Sequence, residues 1–446
     1  MLKERFESPD LYRAYLPNTL KMDHPLCKLA DQIDWDYLYE TFKGYYSEDT
    51  GRPAKSIRLM VGLHYLKYMK NLSDEELVAS WVENPYWQYF CGEEYFQIDF
   101  PIHPTSMTKW RNRIGVHELQ KLLQTTIKAG LKSKTIQSKS FHKANVDTTV
   151  QEKNIAFPID IRLYYRLIAH LVRFAKRCGI KLKQTFIRVG CKLLRRYSGY
   201  SHARQMKRAA KVQRKMKTNL GRLYRSILQV VPADHPERPA FDALSELVLR
   251  AMKQTRKGKN KLYSVHEPHV ECICKGKAHK RYEFGCKVGF VSTSKEGFIL
   301  SATAFHGNPY DGHTLQQTLD LADANIEGTG KLADVYADLG YRGHDYNGDA
   351  QVHIVGRKRK SLTRSQIKWF NRRAAIEANI GHMKNDHRLD RNYLSGKSGD
   401  MFNAVLSACG YNLRMIYRHI VSIFFVFLQI PLFLGHFRRN LALKCT

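Results

Sequence analysis

The sequence predicts an α/β protein: an all-helical N-terminal part, then strands and helices alternating around a long helical insert. Three observations predict it. Apolar residues recur at helical spacing through about residue 135. Strand-like runs then appear at Ser140–Val150, Tyr282–Val291, Phe298–Phe305, Val335–Ala337 and Val352–Val355. Between the first and second of these runs lies a helical stretch of unusual charge.

The N-terminal helices come first. Lys55–Tyr68 carries Ile57, Leu59, Leu63 and Leu66 at helical spacing. Ser73 followed by Glu76 is the pattern of a capping box, and Leu77, Val78, Trp81 and Val82 follow it. Thr105 to Ile114 reads as a short helix with Lys109, Arg111 and Arg113 near its exposed end. A basic third helix fits a helix-turn-helix-like DNA-binding unit, with a helical dimerisation domain as the alternative.

The insert, 160–262, is the most uneven part of the chain. From Ile161 to Ala233 there is no acidic residue, whereas 20 Lys and Arg interleave with apolar residues. Long cationic helix faces suit phosphate neutralisation. Arg195, Arg196, Lys207, Arg208, Lys215 and Lys217 are the expected DNA contacts.

After the insert, Ser294–Gly297 reads as the turn of a hairpin. Asp311 opens a helical pattern and is read as its N-cap, with approach to the catalytic carboxylates as the alternative. The last helices are expected at Ser365–Asn385 and Asp400–Ile420. Without the insert the order is strand, hairpin, helix, strand, strand, helix. That is the element order of a ribonuclease H-like fold. The expected domains are 1–135, helical, and 136–446, the α/β part with its insert.

Composition bounds the partner. The 446 residues carry a formal net charge of +32, and the pI is about 9.8. Such a balance points to nucleic acid. Nine cysteines without regular spacing fit a reducing compartment. The charged N-terminus has no apolar core of a signal peptide, so a cytoplasmic, nucleoid-associated protein with no membrane partner is expected. The apolar run Ile420–Leu434 is short for a span, interrupted by Gln429 and Pro431, and is read as a packed terminal helix or interface segment.

The chemistry rests on carboxylates at particular places. Asp147 and Asp338 lie on or at the end of predicted strands. Phe370, Arg373, Glu377 and Lys384 fall within roughly 60° of arc on one unbroken helix. Three carboxylates so placed suit Mg²⁺ and phosphoryl transfer, while Arg373 and Lys384 suit a phosphate backbone. His266, His269, Cys272, Cys274 and His279 cluster, but not at a common structural zinc spacing. No Gly-rich phosphate loop is evident.

These residues carry a resemblance. Arg373-x₃-Glu377-x₆-Lys384, Val146-Asp147-Thr148-Thr149, the run Ala337–Gly343 and Arg391–Leu394 resemble the signatures of bacterial insertion-sequence DDE transposases, in the group typified by insertion sequence five. The runs 275–285 and 307–315 are similar to that family too, as are the N-terminal Gly51-Arg52-Pro53-Ala54 and Trp110-Arg111-x-Arg113. One departure is Phe370, where the family usually has Tyr.

The resemblance implies metal-dependent cleavage of double-stranded DNA at the element's terminal inverted repeats and strand transfer into target DNA. It implies Asp147, Asp338 and Glu377 as the triad, binding two Mg²⁺ or Mn²⁺ ions, and no nucleotide cofactor. Arg342, in the motif after Asp338, joins Arg373 and Lys384 as a DNA contact. A homodimer is expected in the synaptic complex. The alternatives are a non-catalytic DNA-binding relative and a structure-specific nuclease.

Overall fold

The computed structural model describes residues 13–47, 53–255, 258–274, 281–354 and 363–442, with side chains of the terminal helix described through residue 424. Gly51, Arg52, most of the run 275–285 including His279, and the side chains of 425–434 lie outside the described residues. The chain forms two compact units, Met1–Glu152 with Cys286–Thr446, and Lys153–Gly285.

Seven strands make the sheet: β1 Lys143–Lys153, β2 Glu271–Ile273, β3 Glu283–Thr293, β4 Ile299–Phe305, β5 Asp334–Ala337, β6 Gln351–Ile354 and β7 Arg391–Asn392. β3 lies beside β1, and β7 also pairs with β1. β3 and β4 form the expected antiparallel hairpin. β2 also pairs with β3 antiparallel, whereas β1 with β5 and β5 with β6 are parallel. β3 and β4 are buried almost throughout, which explains their continuous apolar runs. β1 begins three residues later than the sequence indicates, because Ser138–His142 winds into a 3₁₀ turn first.

The expected boundary near residue 135 does not divide packing units. N-terminal helices and sheet share one core, which includes Leu63, Leu66, Trp81, Leu123, Val146, Phe290 and Leu406. The helix Ile57–Lys70 is buried on nearly every face. Such a helix belongs inside a core rather than at its edge. The terminal helix Gly396–Ala442 packs on it. Gly410 permits this, since a Cβ there would stand 2.6 Å from the Tyr68 backbone. The Tyr68 hydroxyl also donates to Asn403 Oδ1 at 2.9 Å.

The second unit is wider than the expected insert. Its helices Asp160–Arg177, Ile187–His202, Met206–Leu228 and Arg238–Lys253 surround a separate core that includes Leu167, Leu171, Leu220 and Phe241. Apolar faces turn inward there and the cations turn out.

The helix Thr105–Ile114 forms as expected, but Arg111 corrects the picture of its basic end. Lys109 and Arg113 are exposed, whereas Arg111 is buried and donates to Asp74 Oδ2 at 2.9 Å. Asp74 also accepts from Lys67 at 2.6 Å. Arg111 therefore locks three helices together instead of facing a nucleic acid. The buried His64 completes the cluster: its Nδ1 lies 2.7 Å from the Met60 carbonyl and its Nε2 faces Arg111. Burial, then the Arg111 charge, lowers its pKa to about 3, so the ring is neutral.

Candidate active site

β1 and β5 bring the two aspartates together. Their parallel register pairs Lys143 with Asp334 and Asn145 with Tyr336. Continued two residues past the last pair, that register brings Asp147 level with Asp338, the residue after β5. Asp147 Oδ1 accepts the Thr148 amide at 2.7 Å. Asp338 Oδ1 accepts the Gly340 amide at 2.8 Å, which fixes the carboxylate at the strand end.

Glu377 arrives from a helix pair. The expected single helix is divided into Arg364–Arg373 and Ala375–Asp386. At the joint, the amide of Ala374 donates to Asn371 and the amide of Glu377 to Ala374, both three residues back. This tighter winding separates the segments. Arg373 nevertheless spans the joint: Nη2 donates to Glu377 Oε1 at 3.1 Å, and Nη1 lies 3.6 Å from Asp147 Oδ2. Glu377 is 65% exposed and Arg373 only 13%.

Neighbouring side chains hold these two segments. Asn145 donates to the Arg372 carbonyl at 3.3 Å and accepts from Ser294 at 2.7 Å. Asn379 donates to the Gly297 carbonyl and accepts from the Tyr411 hydroxyl at 2.9 Å. Phe370 packs edge-on against Tyr336 of β5, with ring centroids 5.6 Å apart. Its ring thus braces the site helix two residues from Asp338.

Asp311 corrects the sequence reading. The N-cap is Tyr310, and Asp311 is the first residue of the helix Asp311–Ile326, with no cap bond from its side chain. Instead its Oδ1 accepts from Thr148 at 2.9 Å and from Lys287 at 2.8 Å. A Cβ added to Gly340 would stand 2.9 Å from Asp338 Oδ1 and 3.2 Å from Asp311 Oδ2. The hydroxyl of Tyr341 is buried nearby. Burial, then the charges of Asp147, Asp311 and Asp338, pushes that hydroxyl well above its ordinary pKa. Local sequence does not mark Lys287, because it gains its role only through packing.

Carboxylate oxygens are the ligands that a hard divalent cation takes. Asp338 and Asp311 flank Gly340, which leaves room between them, and Arg373 Nη1 is a buried donor with no hydrogen bond among the described residues. Among the described residues no three ligands converge as a closed set; Arg373 bridges Asp147 and Glu377 instead.

Other expected residues lie apart from this centre. Lys384 is half-buried two turns beyond Glu377, about 10 Å along the axis. Arg342 is exposed, and its carbonyl accepts from Tyr310 at 2.9 Å. In the second unit Arg195, Arg196, Lys207, Arg208 and Lys215 are exposed and Lys217 is half-buried. His269 pairs with Glu267 at 3.3 Å. Among the described residues no helix is long and apolar enough to cross a membrane.

The Transposase domain (DUF772) family matches residues 15–113, and the Transposase DDE domain family matches residues 228–413. Asp338, Arg373 and Glu377 fall inside the second match, while Asp147 lies outside both. An uncharacterized protein, ORF8 in the nfe locus of Rhizobium meliloti, is 48% identical over 196 residues, covering 44% of this chain and 94% of that protein. No solved structure matches the chain. With both transposase domains in order along it, the chain belongs to the DDE transposases of insertion sequences.

Proposed function

We propose that Asp147, Asp338 and Glu377 are the metal-binding triad of a ribonuclease H-like core, which cleaves DNA at the ends of its element and joins those ends to target DNA. One arrangement supports the reading: continued by two residues, the parallel β1–β5 register brings Asp147 level with Asp338, and Arg373 lies between Glu377 and Asp147. The core assignment rests on the antiparallel hairpin β3–β4 beside β1 and the parallel run β1, β5, β6.

Two Mg²⁺ or Mn²⁺ ions, when bound, would stabilise the entering and leaving oxygens of an in-line displacement. The three carboxylates would hold them. Arg373, whose Nη1 makes no hydrogen bond among the described residues, orients a phosphate oxygen of the scissile strand. Lys384 and Arg342 neutralise neighbouring phosphates. Water attacks the phosphodiester at the element's end and the P–O3′ bond breaks, which frees a 3′ hydroxyl. That hydroxyl then attacks a target phosphodiester and displaces its 3′ oxygen. The exposed cations of the second unit, with Lys109 and Arg113, supply binding to terminal repeats and target DNA. The working form is a homodimer that synapses two ends, and its place is the cytoplasmic nucleoid.

Alanine substitution at Asp147, Asp338 or Glu377 tests the triad. Cleavage should fall to background in each variant, while DNA affinity in a gel-shift assay stays within about twofold. Full cleavage by any one of them would remove that residue from the triad.

A further inference from the structure

Lys287 is nine-tenths buried, on a strand beside the catalytic one. A buried ammonium is costly unless paired and hydrogen-bonded. Lys287 meets that cost by donating to the Pro309 carbonyl at 2.6 Å and to Asp311 Oδ1 at 2.8 Å. The same oxygen accepts from Thr148, whose amide donates to Asp147. Asp311 Oδ2 is turned the other way, toward Asp338 across Gly340. The hydroxyl of Tyr341, 1% exposed, lies close enough to feel the charges of Asp147, Asp311 and Asp338 together. A residue that served only the Lys287 pair would have no need to face Asp338.

We propose that Asp311 is a fourth carboxylate of the catalytic centre, a positioning residue fixed by Lys287 and Thr148 that sets the centre's affinity for divalent ions. This inference rests on the triad reading above. Asp311 acts by two routes. Through Thr148 it fixes the backbone that orients Asp147. Through its charge beside Asp338 it keeps the centre negative despite the cations Arg373 and Lys287. Outer carboxylates of this kind tune metal affinity by about 10- to 100-fold.

The test is Mn²⁺ binding by the full-length protein, followed by the loss of the free-ion paramagnetic resonance signal. Asp311→Asn should weaken Mn²⁺ binding about tenfold or more and raise the Mg²⁺ needed for half-maximal cleavage in parallel. Thr148→Val, which keeps shape and removes only the hydroxyl, should weaken it several-fold without lowering the melting temperature. It decides the matter if Asp311→Asn does not fold. Wild-type Mn²⁺ affinity in these variants, beside loss of binding in Asp147→Ala, would reduce Asp311 to a structural ion pair and overturn the inference. Wild-type affinity in Asp147→Ala would overturn the triad reading, and this inference with it.

Discussion

Single atoms decide the geometry of the carboxylate centre, and Gly340 is the sharpest case. Its φ is ordinary, so the glycine is there for space rather than for backbone freedom. A Cβ would intrude on Asp338 Oδ1 at 2.9 Å. Gly340→Ala should lower the cleavage rate by about 10- to 100-fold with little change in melting temperature, because misplacement by about 1 Å costs rates of that order. Cleavage at the wild-type rate would show that Asp338 has slack. Asp147 and Asp338 stand out in the sequence because one lies within a strand-like run and the other directly follows one. Asp311 and Arg111 mislead for the opposite reason. Their partners, Lys287 and Asp74, are 24 and 37 residues away, and no local pattern records such a pairing.

Among elements, the sequence locates the five longer strands, misses the short β2 and β7, and conceals some joints between helices. The capping box at Ser73 and Glu76 is present as expected. The break at Ala374 is invisible in sequence, since Ala374 and Ala375 are strong helix formers and only tertiary packing tightens the chain there. The Asp74 cluster is the clearest energetic device at this scale. Burial alone would raise the Asp74 carboxyl, but Lys67 and Arg111 hold it well below its ordinary 3.8. A carboxyl depressed in the folded state stabilises fully above its unfolded pKa, and that gain is lost as pH falls through the folded value. Asp74→Asn should therefore cost about 3 kcal/mol near neutral pH, with two buried cations left short of a partner. The difference between variant and wild type in urea unfolding should shrink as pH falls below 3.8. A difference that did not change with pH would mean that the carboxylate charge is irrelevant.

Across the whole molecule, charge and packing divide differently from the expected domains. The strongly basic insert forms its own core within Lys153–Gly285, while the N-terminal helices join the sheet in the other unit. The insert is legible because a stretch with no acid is visible in composition alone. The shared core is not, since helical periodicity reports a buried face without naming what covers it. Replacing Arg195, Arg196, Lys207, Arg208, Lys215 and Lys217 by alanine should weaken DNA binding and flatten its salt dependence, by roughly 0.9 in slope for each phosphate no longer neutralised. The fold should survive, because five of the six are exposed. An unchanged salt slope in a filter-binding titration would remove the insert from the DNA interface. The central claim is a metal-dependent transposase whose chemistry runs through the triad. Its most direct test incubates the purified protein and Mg²⁺ with a plasmid carrying the gene's own flanks, beside Glu377→Ala. The account predicts cuts at the flanks and joined products that vanish in the variant. Binding without cleavage by the wild-type protein, under Mg²⁺ and Mn²⁺ alike, would contradict it.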